Sequence, residues 1–347
     1  KMGSVRIRQR LKELEKTNTN YAQLVEEFIR NDLTGFKRLY LKDREIKNLI
    51  LMGDFLTETI FREERQDNII TRAEFEKRYE NTVYKTETSL SEEMDIDPEY
   101  AALIVPTMVI CKDFMDLFNA EALWMPGVSL LDGIAYDFGE KKNFIKSAHN
   151  FENDILVAAR NIAKRYSTGK DHIKGTTDLA LAIFDSMKKV HGMGDRERLL
   201  LQIAVQLHDC GKYISMGDVA ECSYQIIMAT EIIGLSTEER QIIANAVRYN
   251  TTEFVYYSEI AGEVGMDRSV YLLIAKLTAI LRIANAMDRS HYQKVKNMKA
   301  MLKDRTLLLT VDSEQDISLE LGLLMDKVEF FEEVFGIRLV FRRKRKV

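Results

Sequence analysis

The spacing of apolar residues changes character twice along the chain. Up to about residue 140, short apolar runs end in turns: Leu49-Ile50-Leu51-Met52 stops at Gly53-Asp54, and Ala122-Leu123-Trp124-Met125 stops at Pro126-Gly127. Such runs predict buried strands. Val5 and Ile7, each between polar neighbours, predict a strand end. Helices are predicted from Asn20, where Leu24, Val25, Phe28 and Ile29 share a face, and from Leu56 to Ile60. Thr71 and Glu74 form a capping-box pattern, and Asp97-Pro98-Glu99 opens a helix over Tyr100–Phe118, with a kink expected at Pro106. Asp132-Gly133 reads as a turn. Strand–turn–helix units of this kind predict an α/β domain.

From Asn150 the helical period takes over. Helices are expected at about 150–166, 176–191, 195–209, 218–233, 236–249 and 267–288, separated by Thr168-Gly169, Gly192-Met193-Gly194, Gly211 and Gly234. This is an all-α pattern. The end alternates again: 305–312 and 337–341 predict strands, with a helix in the second half of 315–335. The expected fold is mixed α/β plus all-α, divided as 1–140, 141–290 and a small α+β cap at 291–347.

Composition narrows the function classes. The 347 residues carry 50 basic and 54 acidic side chains, a net charge of −4, which argues against general nucleic-acid binding and gives no reason to expect a DNA partner. The basic run Arg342-Arg343-Lys344-Arg345-Lys346 reads as a solvated terminus. Cys111, Cys210 and Cys222 form no CxxC pair and read as reduced thiols of a cytoplasmic protein. No stretch is read as membrane-spanning, so no membrane partner is expected.

The sharpest chemical signal is Leu207-His208-Asp209-Cys210-Gly211-Lys212. An imidazole and a carboxylate adjacent at a helix end can reach one divalent cation, and Lys212 can neutralise a phosphate beside it. A site of this HD type needs an earlier histidine and a later acid. His172 supplies the first. Asn285 and Asp288, three residues apart on a predicted helix, are both candidates for the second position. His149, His191 and His291 read as surface or turn residues. Arg160, Lys164, Arg165, Lys170, Lys174 and Lys212 are candidates to line a polyanion path.

Several segments carry a resemblance to a known family. They are Met2-Gly3-Ser4-Val5-Arg6, Asp97-Pro98-Glu99-Tyr100-Ala101 with Ile104-Val105-Pro106, and Val128-Ser129-Leu130-Leu131-Asp132-Gly133. Leu179 to Asp185, Leu207 to Ile214 and Leu281 to Ser290 continue it to the helical region. Together they resemble the C-terminal two-thirds of the exopolyphosphatase / guanosine pentaphosphate phosphatase (Ppx/GppA) family. The resemblance implies half of an actin-like ATPase (ribonuclease H-like) lobe at 1–140, an HD-like helical domain at 141–290 and a small C-terminal domain. It implies hydrolysis of terminal phosphoanhydride bonds of polyphosphate or a guanosine polyphosphate. It also implies a divalent metal (Mg or Mn), a homodimer, and a catalytic glutamate expected before residue 1.

The departures from that family pattern are specific. The second lobe's phosphate loop falls at Met52-Gly53-Asp54-Phe55-Leu56, where one glycine remains and Asp54 would repel phosphate unless a cation bridges it. Leu131 stands where many relatives have arginine. Asn285 stands at the position assigned to the ligand aspartate, and Cys222 and Asn250 stand where relatives often show histidine. Expected phosphate contacts are Gly53, Asp54, Lys212, Arg165 and Lys174; expected metal contacts are His172, His208, Asp209, Asp288 and Asn285. Three functions follow: a phosphoanhydride hydrolase whose helical domain guides or senses polyanion, a non-catalytic polyphosphate or guanosine-nucleotide sensor, or an HD-type metal-dependent phosphohydrolase. The 347 residues alone are expected to lack exopolyphosphatase activity.

Overall fold

The computed structural model describes residues 3–15, 20–41, 44–53, 68–260, 267–295 and 297–344. The chain divides into two compact units, 1–147 and 148–347. It is mostly helical, with two small three-stranded sheets among the described residues.

In the first unit, α1 (Ser4–Glu15) and α2 (Tyr21–Phe36) lead through a π-helical turn at Lys37–Leu41 to β1 (Asn48–Ile50). There follow β2 (Ile69–Thr71), α3 (Arg72–Thr82), α4 (Glu87–Met94), α5 (Pro98–Phe118), β3 (Ala122–Trp124) and α6 (Leu130–Lys141). The sheet order is β1-β3-β2, with β1 parallel and β2 antiparallel to β3. Three-residue strands this short do not organise the unit; α5 does. It packs against α1, α2, α3 and α4, and Ile104, Met108 and Met115 are fully buried on it. The helix runs on through Pro106, so the expected kink does not end it.

Three sequence expectations change here. Val5 and Ile7 belong to a helix, because Ile7 and Leu11, four apart, are the buried pair while Val5 faces solvent. The apolar run at Leu49–Met52 is an exposed-edge strand, with Ile50 and Met52 open to solvent. Asp132-Gly133 lies inside α6, because Ser129 caps that helix and Asp132 returns the capping-box bond to the Ser129 amide. The helix expected at Leu56–Ile60 lies outside the described residues. The Thr71–Glu74 capping box and the Asp97 cap are present as expected.

The second unit contains α7 (Phe151–Arg165), α8 (Lys170–Ser186), α9 (Lys188–His191), α10 (Asp195–Leu207), α11 (Val219–Ala229), α12 (Thr237–Arg248), α13 (Tyr257–Ile260) and α14 (Arg268–Ala286). It continues with β4 (Asn297–Lys303), β5 (Thr306–Asp312), α15 (Ser318–Phe335) and β6 (Arg338–Arg343). Every residue of α10 from Leu199 to Leu207 is buried apart from half-buried Gln202, which makes it the central helix; it contacts α7, α8, α12 and α14. Each of its fully buried leucines and isoleucines stabilises the unit by about 1.5–3 kcal/mol relative to exposure. The long helix α14 is 19 residues with mean hydropathy 1.4, which is long and apolar enough to cross a bilayer, unlike the sequence reading. In the fold most of it is buried inside the unit, as a core helix is.

The C-terminal sheet shares this core. Leu307, Leu309 and Val311 point inward from β5, which pairs antiparallel with β4 and parallel with β6. Strand β4 was missed in the sequence, although Met298, Ala300 and Leu302 alternate in it. Buried Arg282 ties α14 to its neighbours. It donates to the carbonyls of Tyr249 (2.8 Å) and Thr252 (2.6 Å) just beyond α12, and its guanidinium lies 4.4 Å from the Phe330 ring of α15.

Two predictions follow from the packing. A methyl group at Gly211 would come within 2.6 Å of the Ser223 nitrogen and closer still to the Val219 carbonyl, so Gly211→Ala must push α11 away. Urea unfolding is expected to show a loss of about 1–3 kcal/mol. In the first unit, burial first and then the Glu26 and Asp116 carboxylates push Asp113 up to about 6 from its ordinary 3.8. The folded chain then holds a proton that the unfolded chain has lost, so stability falls as pH rises through that window. Asp113→Asn is expected to stabilise at pH 7.5 and to have no effect at pH 3.5, read from urea midpoints.

Candidate metal centre

Helix α10 ends where the HD pair begins. His208 follows the last helical residue, and Asp209 opens a 3-10 turn over Cys210–Tyr213. Gly211 allows α11 to approach this turn: the Gly211 amide donates to Ser223 Oγ (2.8 Å), and that hydroxyl donates to the His208 carbonyl (3.3 Å). His172 comes from α8, rather than from the segment before it as expected, because that helix starts at Lys170.

The two imidazoles meet in the core, 2% and 3% exposed, with their Nε2 atoms 3.1 Å apart. Their other nitrogens fix the tautomers. His208 Nδ1 lies 2.7 Å from the Val205 carbonyl oxygen, which can only accept, so Nδ1 carries the proton. Burial, then the neighbouring His172, keeps His208 below the ordinary histidine range despite the Asp209 charge, and so neutral at pH 7. His172 Nδ1 lies 2.7 Å from Asp288 Oδ2. Burial pushes Asp288 up, but hydrogen bonds from His172 and Gln293 outweigh it and hold the carboxyl below its usual range, so it accepts from His172 Nδ1–H. The Nε2 atoms of the two rings therefore face the same point.

Facing Nε2 atoms at 3.1 Å need either a proton or a cation between them. Nitrogens bound to one ion at about 2.0–2.1 Å in neighbouring coordination positions sit roughly 3 Å apart, so the spacing fits a shared cation. Further donors are at hand. Asp209 Oδ1 lies 3.7 Å from His208 Nε2, and His172, Asp209 and His291 each bring a ligand atom within 4.8 Å of the others. Burial pushes Asp209 up, but its cationic surroundings, with Lys212 Nζ bonded to it at 2.5 Å, pull it further down, so it is a carboxylate. The donor chemistry, two or three imidazoles and a carboxylate, fits a divalent transition ion. Buried Cys210, its thiol pushed up to about 11 by burial, contributes no thiolate.

Several sequence expectations are placed differently. Asp288 stands behind His172, on the Nδ1 side of the ring, and orients it. It can do so because α14 stops at Ala286 and the turn beyond swings Asp288 inward. Asn285 is buried one turn earlier and, among the described residues, makes no side-chain hydrogen bond to the cluster. Lys212 is at the centre, whereas Arg165 ends α7 and Lys174 lines a separate cavity of the same unit. Gly53 follows β1 in the first unit with φ +140, and Asp54 lies outside the described residues.

His291 reads as a turn residue in the sequence, yet its ring stacks on His172 with centroids 3.6 Å apart and planes 6° from parallel. Its Nε2 is 3.9 Å from Asp209. Gln293, also missed, donates from its amide N–H (2.8 Å) and Nε2 (3.2 Å) to Asp288. The signal was the run Asp288-Arg289-Ser290-His291 just after a helix end. His291 and Gln293 both adopt positive φ, a backbone cost held in place by these contacts. His191, likewise read as a surface residue, is buried and faces the Phe184 carbonyl at 2.9 Å. His149 is exposed, as expected.

No curated protein matches the chain. Residues 157–329, which carry the whole of this centre, match the family model of Ppx/GppA phosphatase, domain III. Through this C-terminal portion the chain belongs to the Ppx/GppA phosphatase family.

Proposed function

We propose that the chain is the C-terminal part of a phosphoanhydride hydrolase acting on polyphosphate or a guanosine polyphosphate, and that its helical unit is a metal-dependent phosphate site. The observation that carries this reading is the facing pair of buried Nε2 atoms in His172 and His208, 3.1 Å apart, with the Asp209 carboxylate beside them. His172, His208 and Asp209 would hold the ion, with His291 stacked on His172 beside it. Of Mg and Mn, this nitrogen-rich set suits Mn, since Mg favours an all-oxygen octahedron. When bound, the ion supplies Lewis-acid polarisation of a phosphoryl oxygen. Asp288 keeps His172 in the Nδ1–H tautomer, the Val205 carbonyl does the same for His208, and Lys212 stands beside Asp209 where a phosphate charge can draw it away. The first unit, with its mixed sheet and Gly53 beyond β1, is read as part of an actin-like lobe.

An HD-type hydrolase and a non-catalytic sensor share this geometry and differ in turnover. The test is manganese binding by the purified chain, followed by titration calorimetry. One ion per chain is expected. Asp288→Asn should weaken binding by about 10–100-fold, the usual effect of losing an outer-shell partner of a metal histidine. His208→Ala should abolish it. Release of phosphate from a phosphomonoester with Mn, lost in His208→Ala, selects the hydrolase; binding without release selects the sensor. Failure of Mn, Zn and Fe to bind would defeat both.

A further inference from the structure

Helices α7, α8 and α10 line a half-open cavity of about 710 Å³. Residues four apart on a helix face the same way, and each helix contributes such a pair: Arg160 and Lys164 from α7, Lys170 and Lys174 from α8, Gln202 and Gln206 from α10. The four cations are exposed, and among the described residues none of them is in an ion pair or side-chain hydrogen bond. One carboxylate, Asp178, also lines the cavity. The sequence reading put these cations on a polyanion path, but the structure gathers them around a cavity whose other lining is different in kind. Gln206 is 4% exposed, yet its amide oxygen has no hydrogen-bond partner, and neither has the Thr177 hydroxyl. Val157, Ala163 and Ile173 add apolar wall.

Two simple classes of ligand fit poorly. A bare phosphate chain would satisfy the cations and leave the apolar wall and the buried amide unmet. An apolar molecule would leave four cations unneutralised. A molecule with an anionic end and a flat, hydrogen-bonding body meets both sets at once, and the volume admits one of nucleotide size. We propose that this cavity binds a nucleoside di- or triphosphate, its base against Gln206 and Thr177 and its phosphates among Arg160, Lys164, Lys170 and Lys174. The site uses none of the metal-centre side chains, although it shares two helices with them: Gln206 precedes His208 by two residues and Ile173 follows His172 directly.

Calorimetry on the whole chain in EDTA, which removes any contribution from a bound ion, tests this with ADP, GDP and tripolyphosphate as probes. At least one nucleotide is expected to bind one-to-one, at least tenfold more tightly than tripolyphosphate. The double substitution Lys164→Ala/Lys174→Ala changes only exposed side chains and should weaken nucleotide binding by roughly tenfold or more. Gln206→Leu should weaken the nucleotide and leave tripolyphosphate unchanged; should that variant misfold by circular dichroism, the nucleotide-to-tripolyphosphate ratio decides. Absence of nucleotide binding, tripolyphosphate binding as tightly as the nucleotide, or insensitivity to the lysine substitutions overturns the proposal. Manganese binding that persists in that case leaves the metal centre standing.

Discussion

Two buried imidazoles held nitrogen to nitrogen are the constraint on which the rest of the site depends. His172 and His208 are buried, their outer nitrogens are committed to the Asp288 carboxylate and the Val205 carbonyl, and their Nε2 atoms are left facing each other at 3.1 Å. Without a proton or a cation between them this contact is repulsive, and a low-dielectric core magnifies the repulsion. A cation turns the same geometry into attraction. The carboxylate of Asp209 beside them and the stacked His291 make the surroundings consistent with that resolution.

The rest of the second unit holds this arrangement in place. Buried on nearly all sides, α10 cannot rotate without unpacking its leucines, so His208 is delivered at a fixed height. Ser223 braces the turn after it, through a contact that a side chain at position 211 would not permit. Arg282 anchors α14 to the carbonyls beyond α12, and the end of α14 sets where Asp288 emerges. The Gln293 amide then fastens that carboxylate from the far side. Each device is modest, but together they hold two imidazoles to a spacing that tolerates little drift.

Much of the helical unit was legible in the chain. The boundaries of α7, α10, α12 and α14 follow from a 3.6-residue apolar period, because burying one face of a helix is a local pattern; α11, expected to reach residue 233, stops at Ala229. The capping boxes at Thr71 and Ser236 lie within four residues of the caps they form, so they too can be read locally. The first unit was harder. Val5 and Ile7 fit a strand's alternation as well as a helix's, and the partner that settles it, Leu11, buries only through contacts with distant elements. Strand β4 is seven residues of mixed polarity, made a strand by pairing with β5.

The sequence by itself determined that an HD pair closes a buried helix and that a histidine and an acid stand ready elsewhere in the chain. It could not choose between Asn285 and Asp288, since both lie near one face of the predicted helix; the choice was made where α14 stops, which depends on what packs against its end. Nor could it assign His291 a role, because a ring in a turn gains a neighbour only when residues 119 positions apart are brought together. Local order is written in periodicity and capping. Convergence of side chains from separate helices is set by packing, and packing belongs to the whole unit.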